Sequence, residues 1–185
     1  MSKFEFTTER LTIREYRRSD IDDYIAVTSQ PEIYKTTYGI PKEYTKKYGK
    51  RYFRIIRENL NSMRAFEFGM FLKSNGRYLG NVGLINICLA HKHADISYYI
   101  DKDFRNMGFT TEAAREMLGW AFGFMDFEKV TGICMSINPA SRRVMEKIGM
   151  KYEGTLRNEL LKDGVYYDLD RLSILKEEYF TDSNC

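Results

Sequence analysis

A short turn between a strand-like run and an amphipathic segment carries the residues best suited to hold an anion. The run 96–100 is followed by the turn 104–108 and then by a segment with a helical apolar pattern. A helix N-terminus leaves about four backbone N–H groups unpaired and carries roughly half a positive charge. Gly108 lets the backbone approach an anion, and Arg105 adds a fork of donors. The spacing favours a phosphate site, although several nucleotide-binding folds share it.

A second block of candidate residues begins at Asn138-Pro139, after the β-branched run 129–137. Asparagine is a favoured N-cap and proline is favoured at the first helical position, so a short helix is predicted to begin here. Gly149 suits the position just after its end. Ser141 lies in the first turn, where its hydroxyl either supports the cap or takes part in chemistry.

The pattern Cys88-x-x-His91-x-His93-x-Asp95 contains residue types that bind zinc. No second ligand pair of the kind found in zinc sites accompanies it. The segment falls in a predicted connection between strands. A polar loop is therefore favoured over a metal site, and no metal is expected.

The chemistry-bearing residues are positioned by seven predicted strands and four predicted helices. Alternation and β-branched content predict strands near 11–16, 65–73, 78–87, 94–100, 129–137, 150–160 and 165–175. Helices are predicted near 20–28, 42–60 and 108–125 and after Asn138, with a loop at 31–41. Residues 19–22 resemble a capping box that opens the first helix. This order indicates a mixed α/β sheet with helices on both faces, in one domain spanning 1–185.

The second predicted helix is strongly basic. It carries seven Lys or Arg residues between Lys42 and Arg57. A possible buried stripe runs along it at Tyr48, Tyr52, Phe53, Ile56 and Leu60. A solvated face is favoured for the charges, with an acceptor-site wall or a contact to RNA or to phosphates as the alternative.

Length and composition limit the class of protein. The chain has 185 residues, a net charge of +3, 43% hydrophobic and 30% charged residues, which suits one globular domain. The three cysteines, Cys88, Cys134 and Cys185, are odd in number and widely spaced, so a reduced, cytoplasmic chain is expected. The segment after Met1 has no apolar region of signal-peptide type, and no run is long enough to span a membrane.

The two blocks together resemble the GNAT acyl-CoA N-acyltransferases. The turn matches the signature Arg/Gln-x-x-Gly-x-Gly/Ala at Arg105, Gly108 and Thr110, and the second block matches Asn-x-x-Ser-x-x-x-x-x-Lys-x-Gly at Asn138, Ser141, Lys147 and Gly149. The opening 8–14 and the tail around 153–168 are similar to the Rim-type N-terminal acetyltransferases of ribosomal proteins. The resemblance extends from about Phe6 to Tyr179.

The resemblance implies a GNAT fold with acetyl-CoA as the acetyl donor and an amine as the acceptor, without a metal. This fold has a mixed central sheet of about six to seven strands, whose fourth and fifth strands splay apart, and helices on both faces. The edge of the Tyr98–Ile100 strand would pair with the pantetheine arm. The resulting acetyl-CoA site comprises Tyr98, Tyr99, Ile100, Arg105, Asn106, Met107, Gly108, Phe109, Thr110, Thr111, Asn138 and Ser141.

Two positions of the phosphate turn differ from the family pattern. Asn106 stands where Gly is common, and Asn tolerates a left-handed backbone better than most residues. Thr110 stands where Gly or Ala is common. Its side chain would either crowd the phosphates or donate a hydrogen bond to them.

Acetyl transfer to an amine requires loss of a proton, because a free amine is mostly protonated at neutral pH. Asp95, on the strand that enters the expected acetyl-CoA slot, is the candidate general base. Ser141 is the second candidate, donating to the leaving sulfur or orienting water. Many relatives place a Tyr where this chain has Met145, so Ser141, Tyr98 or water is left as the acid. No Cys lies in either motif, which favours direct transfer.

The acceptor is predicted from the resemblance and from the charge of the segment 31–60. The Rim-type resemblance implies a protein N-terminal amine, such as that of a ribosomal protein, and a small amine (polyamine, amino sugar or aminoglycoside) is the alternative. The basic character of 31–60 favours a peptide or a negatively charged substrate over a polyamine or an aminoglycoside. A CoA-binding module without catalysis and a scaffold or nucleotide-binding domain are the rival classes. Neither a membrane nor nucleic acid is an expected partner, and both a monomer and a homodimer are open.

Overall fold

A mixed eight-stranded sheet organises the computed structural model, which describes residues 4–182. Its strands are β1 Glu5–Thr7, β2 Leu11–Arg14, β3 Phe66–Leu72, β4 Tyr78–Cys88, β5 His93–Ile100, β6 Lys129–Met135, β7 Lys151–Lys162 and β8 Val165–Leu175. They lie in the order β1-β2-β3-β4-β5-β6-β8-β7. Neighbours are antiparallel, except that β5 and β6 are parallel.

Six helices connect or flank these strands within the described residues. They are α1 Ile21–Thr28, α2 Pro31–Thr36, α3 Lys46–Asn61, α4 Phe109–Gly123, α5 Pro139–Lys147 and α6 Lys176–Asp182. The predicted four-residue spacing of apolar residues along α4 is confirmed, because Ala113, Met117 and Ala121 are all fully buried. Helix α5 begins at the predicted Asn-Pro cap, where the side chain of Asn138 accepts a hydrogen bond from the Ser141 N–H.

The two faces of the sheet carry separate apolar clusters. One cluster joins α4 to inward-facing residues such as Phe68, Val82 and Ile96. The other joins α1 and α3 to Tyr16, Phe71 and Tyr78. Side chains alternate between the two faces of a strand, so each cluster takes every second residue. Helices therefore cover both faces, as predicted.

Two local predictions are wrong, and two short elements were not predicted. Residues 31–36 form helix α2 instead of a loop, and the unpredicted elements are β1 and α6. The capping box at 19–22 is not formed: α1 begins at Ile21, and the Asp20 carboxylate pairs with the Arg14 guanidinium at 2.7 and 3.1 Å. A buried cation attracts the carboxylate more strongly than a helix N-terminus does. Cys185 and the segment after Met1 lie outside the described residues.

Strands β5 and β6 separate part of the way along their length. Their pairing runs from His93 opposite Lys129 to Ile96 opposite Gly132 and goes no further, although β5 continues to Ile100 and β6 to Met135. These are the fourth and fifth strands of the sequence-based prediction, because β1 adds one to the count. The predicted splay is confirmed, and it opens a slot beside the Tyr98–Ile100 edge.

Candidate active site

A cavity of about 560 Å³ begins at this slot. It extends from the N-terminus of α4, past β5 and α5, to the aromatic face beneath α1 and α3. All but one of the sequence-predicted site residues line it: Asp95, Tyr98, Tyr99, Ile100, Arg105, Asn106, Gly108, Phe109, Thr110, Thr111, Asn138 and Ser141. Met107 does not; its side chain is exposed, and its carbonyl accepts a hydrogen bond from Arg10 Nη1.

The turn before α4 has the backbone conformation that an anion site requires. Asn106 has a φ of 63° and Gly108 a φ of 82°, both in the left-handed region. Asn and Gly adopt this region most readily, which explains why Asn106 can replace a glycine here. Gly108 is the N-cap of α4 and carries no side chain over the first turn. Thr110 is buried and lines the cavity.

Positive charge surrounds this end of the cavity. The cavity is lined by Arg105, Arg143 and Lys147. Arg10 is also close, because its Nη2 lies 3.4 Å from the point that a Cβ of residue 108 would occupy. Arg115 of α4 donates to the carbonyl of Lys147 at 2.8 Å and so ties α4 to α5. The sequence assigned an anion-binding role only to Arg105, since Arg143 and Lys147 belong to the second block and Arg10 comes from the start of the chain. Several cations beside a helix N-terminus suit a ligand with several phosphates.

Glu112 fixes the phosphate turn to the start of the sheet. Its Oε1 accepts from the Arg10 backbone N–H at 2.8 Å and from Thr8, and its Oε2 accepts from Arg10 Nε at 2.7 Å. The guanidinium of Arg10 also lies 4.3 Å from the centre of the Phe109 ring. These contacts lower the pKa of Glu112 against the opposing effect of its burial. The carboxylate therefore stays ionised and holds the turn in place.

The far wall of the slot is held by hydrogen bonds between β5 and α5. Ser141 Oγ donates to the Tyr98 hydroxyl at 3.1 Å, and that hydroxyl donates to the Ser141 carbonyl at 3.0 Å. Asn138 Nδ2 donates to the Thr36 carbonyl at 3.3 Å while its Oδ1 caps α5. These bonds use one N–H and the oxygen of the Asn138 amide, so its second N–H can still donate a hydrogen bond. Ser141 thus supports the helix start and also faces the cavity.

Cys134 and Met145 line the same wall. Burial raises the pKa of the Cys134 thiol to about 11, so it is protonated at neutral pH. A thiol nucleophile reacts as the thiolate, and this cysteine is therefore poorly suited to carry an acetyl group. Met145 is 1% exposed and packs over Gly132, where the pairing of β5 and β6 ends.

The predicted base Asp95 lies on β5, where this strand pairs with β4 on one side and with β6 on the other. It is opposite Ile85 in β4 and Thr131 in β6, and its Oδ2 accepts from Asn86 Nδ2 at 2.9 Å. Tyr38, from the segment after α2, also lines the cavity, and its pKa is raised by burial and then by the charge of Asp95. Asp95 therefore faces the cavity together with Tyr38.

A second carboxyl group, missed in the sequence, also lines the cavity. Glu67 of β3 accepts from the Tyr52 hydroxyl at 2.7 Å. Burial raises the pKa of Glu67, and the hydrogen bond from Tyr52 opposes that rise. No motif marks Glu67. The available signal was a lone acidic residue within the apolar run 65–72.

A network of tyrosine hydroxyls surrounds this end of the cavity. The Tyr78 hydroxyl lies 3.2 Å from that of Tyr16 and 3.0 Å from that of Tyr99, and Asn81 Nδ2 donates to Tyr16 at 3.0 Å. Burial raises the pKa of Tyr16, Tyr78 and Tyr99, so all three remain protonated. Aromatic rings and neutral hydroxyl groups therefore surround the Glu67 carboxyl at this end of the cavity.

The basic residues of α3 do not contribute to the cavity. Its Lys and Arg side chains are exposed, whereas Tyr52, Phe53, Ile56 and Leu60 face inward. Tyr48, which was placed in the predicted buried stripe, is exposed. The sequence-based preference for a peptide over a polyamine used the charge of this segment. The groups that face the cavity include the carboxyl groups of Glu67 and Asp95. The charge of the basic segment therefore no longer supports a peptide over a polyamine.

Within residues 4–182, no group of three or more His, Cys, Asp or Glu side chains is arranged to hold a metal ion. None of the helices in the described part of the chain combines the length and the hydrophobicity of a membrane span.

Comparison with known proteins identifies the fold that carries this site. A solved structure of the microcin C7 self-immunity acetyltransferase MccE, in complex with acetyl-CoA and AMP, superposes with a TM-score of 0.81. It is 19% identical and covers 90% of this chain and 93% of the other. At this identity the likeness shows the fold alone.

Sequence relatives differ in their named substrates. The chain is 35% identical over 106 residues to the Bacillus subtilis protein named "Putative ribosomal N-acetyltransferase YdaF", covering 57% of each. It is 24% identical to the spermidine N(1)-acetyltransferase of Vibrio cholerae, covering 94% of this chain and 98% of the relative. Residues 10–151, which contain the phosphate turn and the Asn138 block, match the model of the acetyltransferase (GNAT) domain. The chain therefore belongs to the GNAT acetyltransferase family.

Proposed function

We propose that this protein transfers the acetyl group of acetyl-CoA directly to a primary amine. The observation that carries the proposal is that one cavity joins a cation-rich helix N-terminus to two carboxyl groups, Glu67 and Asp95. A donor with phosphates at one end and a thioester at the other fits this layout. An acceptor that must lose a proton fits the carboxyl end.

The donor site rests on the same features that the sequence suggested. The N–H groups at the start of α4 and the cations Arg105, Arg143 and Lys147 would bind phosphates. The edge of β5 beyond Ile96 is unpaired with β6 and would receive the amide groups of the pantetheine arm as an added strand does. The remaining amide N–H of Asn138 would reach the arm from α5.

Direct transfer is favoured over a covalent acetyl-enzyme. The transfer requires a neutral amine, and a carboxylate at the acceptor end can take its proton. The departing thiolate requires a proton in turn, which the hydroxyl pair Ser141 and Tyr98 can relay from the α5 side. The raised pKa of Cys134 argues against a covalent relay through sulfur.

A protein N-terminal amine is the acceptor we favour, because YdaF is named for ribosomal substrates. A polyamine is the second candidate. The carboxyl groups of Glu67 and Asp95 and the similarity to a spermidine acetyltransferase support it. Both acceptors present a primary ammonium group, so the reaction is the same for each.

The first test is thermal unfolding with and without acetyl-CoA, with ATP and NAD as controls. A ligand at about 100 times its dissociation constant stabilises by roughly 2.7 kcal/mol, which raises the melting temperature by several degrees at this size. A rise with acetyl-CoA alone supports the donor site. Equal shifts with all three ligands, or none, would contradict it.

Turnover is then followed by thiol release with two acceptors, an Ala- or Ser-initiated hexapeptide and spermidine. Ser141→Ala should lower kcat about tenfold or more while the affinity for acetyl-CoA holds. Lys176→Ala, on the remote helix α6, is the control and should match the wild type. Full activity of Ser141→Ala would remove Ser141 from the mechanism, and failure of both acceptors would contradict both acceptor proposals.

A further inference from the structure

The acceptor end of the cavity contains a gap in the side-chain row that crosses three strands. Glu67 of β3 is opposite Gly83 of β4, and Gly83 is opposite Ser97 of β5. Residues paired in this way project from the same face of the sheet. Gly83 contributes no side chain, and two strand spacings place the outer residues about 10 Å apart. Glu67 and Ser97 both line the cavity, and no side chain of the intervening Gly83 separates them.

Gly83 is required at the middle of this row. A Cβ at this position would lie 2.3 Å from the Phe66 carbonyl oxygen and 3.2 Å from Glu67 Cγ. Backbone atoms cannot move aside as a side chain can. The gap is consequently fixed by the pairing of β3 and β4.

Both side chains that border the gap have bonding capacity left. Ser97 Oγ is buried and has no hydrogen-bond partner within residues 4–182. A buried hydroxyl without a partner is costly, and such a group often marks a ligand position. Glu67 accepts from Tyr52, and an ionised carboxylate has further lone pairs for a second donor.

We infer that Glu67, Tyr52 and Ser97 form the acceptor subsite, which takes one primary ammonium group, and that Glu67 is the base that accepts its proton. The inference rests on the proposed transfer reaction and deepens it. It assigns the base role to Glu67 in place of Asp95, which lines the same cavity but is opposite Ile85 and so lies outside this row. Tyrosine rings that line the cavity, Tyr52 and Tyr99, can face the cation with their π-systems.

The groups that face Glu67 leave it as the proton acceptor. Tyr52 from α3, Tyr16 after β2 and Tyr44 before α3 all interact with it, and the pKa of each tyrosine is raised by burial. Each of these hydroxyls stays protonated at neutral pH. Among these groups, the carboxyl of Glu67 is therefore the one that can be ionised and accept a proton.

The reaction balances with these groups. Glu67 accepts one proton from the ammonium and leaves an electron pair on nitrogen. That pair forms the C–N bond to the carbonyl carbon of acetyl-CoA, and the C–S bond breaks with its electrons on sulfur. The second N–H proton neutralises the sulfur, and Glu67 releases its proton to water. The products are an acetamide, the free thiol and one proton.

The decisive experiment compares Glu67→Gln with Glu58→Gln, a matched change on the exposed face of α3. With the hexapeptide or spermidine as acceptor, Glu67→Gln should lower kcat about 100-fold, leave KM for acetyl-CoA unchanged and abolish the low-pH limb of the kcat profile. Glu58→Gln should match the wild type. A kcat for Glu67→Gln within twofold of the control, or a persisting low-pH limb, would overturn the inference.

A second variant tests the link to Tyr52. Tyr52→Phe keeps the ring but removes a hydrogen bond that favours the ionised carboxylate. The pKa of Glu67 should rise further, and the low-pH limb of kcat should move to higher pH. A limb at the wild-type position would show that Tyr52 does not act on the base.

Binding of n-propylamine to the CoA-saturated protein separates the subsite from the transfer reaction. Calorimetry should show binding to the wild type that weakens about tenfold or more in Glu67→Gln and is unchanged in Glu58→Gln. Equal affinity in all three proteins, or no binding to any, would overturn the subsite. Glu67-dependent binding in a wild type that acetylates neither acceptor would contradict the proposed transfer and leave the subsite standing.

Discussion

Glu67, the base that we propose, lowers the stability of the folded protein when it is ionised. Its carboxyl lies among tyrosine rings, and burial raises its pKa. A raised folded-state pKa means that ionisation is harder in the folded protein than in the unfolded chain. Stability from this group is therefore complete below the ordinary pKa of Glu and is lost as pH rises through the folded pKa.

This linkage gives a prediction for stability. Glu67→Gln should raise the melting temperature at pH 7 to 8 by a few degrees, because Gln keeps an oxygen for Tyr52 without a charge; each kcal/mol corresponds to roughly 2–4 °C at this length. Near pH 4 the difference should shrink as Glu67 becomes protonated in both states. Calorimetric scans across pH test it, and a variant that is less stable at pH 8 would contradict it.

At the scale of elements, the connection from β2 to α1 depends on a buried ion pair. The side chains of Arg14 and Asp20 are 11% and 9% exposed, and the guanidinium also lies 3.7 Å from the centre of the Phe71 ring. Asp20 further accepts from the Arg17 N–H at 2.7 Å. The pair fixes where α1 enters, and α1 carries Tyr24 into the aromatic cluster beside the acceptor end.

Asp20→Ala should therefore lower the free energy of unfolding by about 3–5 kcal/mol, because it leaves the buried Arg14 cation unpaired. Asp22→Ala, which removes an exposed pair with Lys46, is the control and should cost less than about 1 kcal/mol. Urea unfolding measures both. Equal effects of the two substitutions would show that the Arg14–Asp20 pair has no special weight.

At the scale of the whole molecule, the donor and acceptor ends draw on distant parts of the chain. The phosphate turn is fixed by Arg10 and Glu112, and the acceptor end joins β3, α3 and β5. The tip of the β7–β8 hairpin also reaches α2, where Tyr34 donates to Asp163 at 2.8 Å and Lys162 donates to the Tyr34 carbonyl. The walls of the cavity are therefore held from both sides of the splayed strands.

Acetyl-CoA should link these walls. Where β5 and β6 part, the backbone of residues 97–100 lacks β6 as a partner, and a bound pantetheine arm would supply one. Hydrogen exchange at 97–100 and at the start of α4 should slow about tenfold or more with acetyl-CoA, while the remote strand β7 stays unchanged. Uniform slowing, or none at 97–100, would argue against binding in the splay.

Local signals in the sequence determined the donor half of the molecule. Seven strands, the apolar face of α4, the Asn138 cap and the left-handed fit of Asn106 all follow from neighbouring residue types, because helix starts, turns and strand alternation are short-range properties. The motif resemblance gave the family and the splay. The short strand β1 and helix α2 were not predicted, because segments of three to six residues carry little periodicity.

Only the tertiary structure decided the acceptor half. Glu67, Gly83 and Ser97 are separated by 16 and 14 residues along the chain, and strand register alone places them in one row. Packing of Tyr52 and Ile56 likewise determined that the basic side chains of α3 point outward. Composition gives the number of these charges but not the side of the helix on which they lie. Register and packing are long-range properties. The sequence therefore indicated the acetyltransferase chemistry but did not locate the residues that we propose to bind the amine.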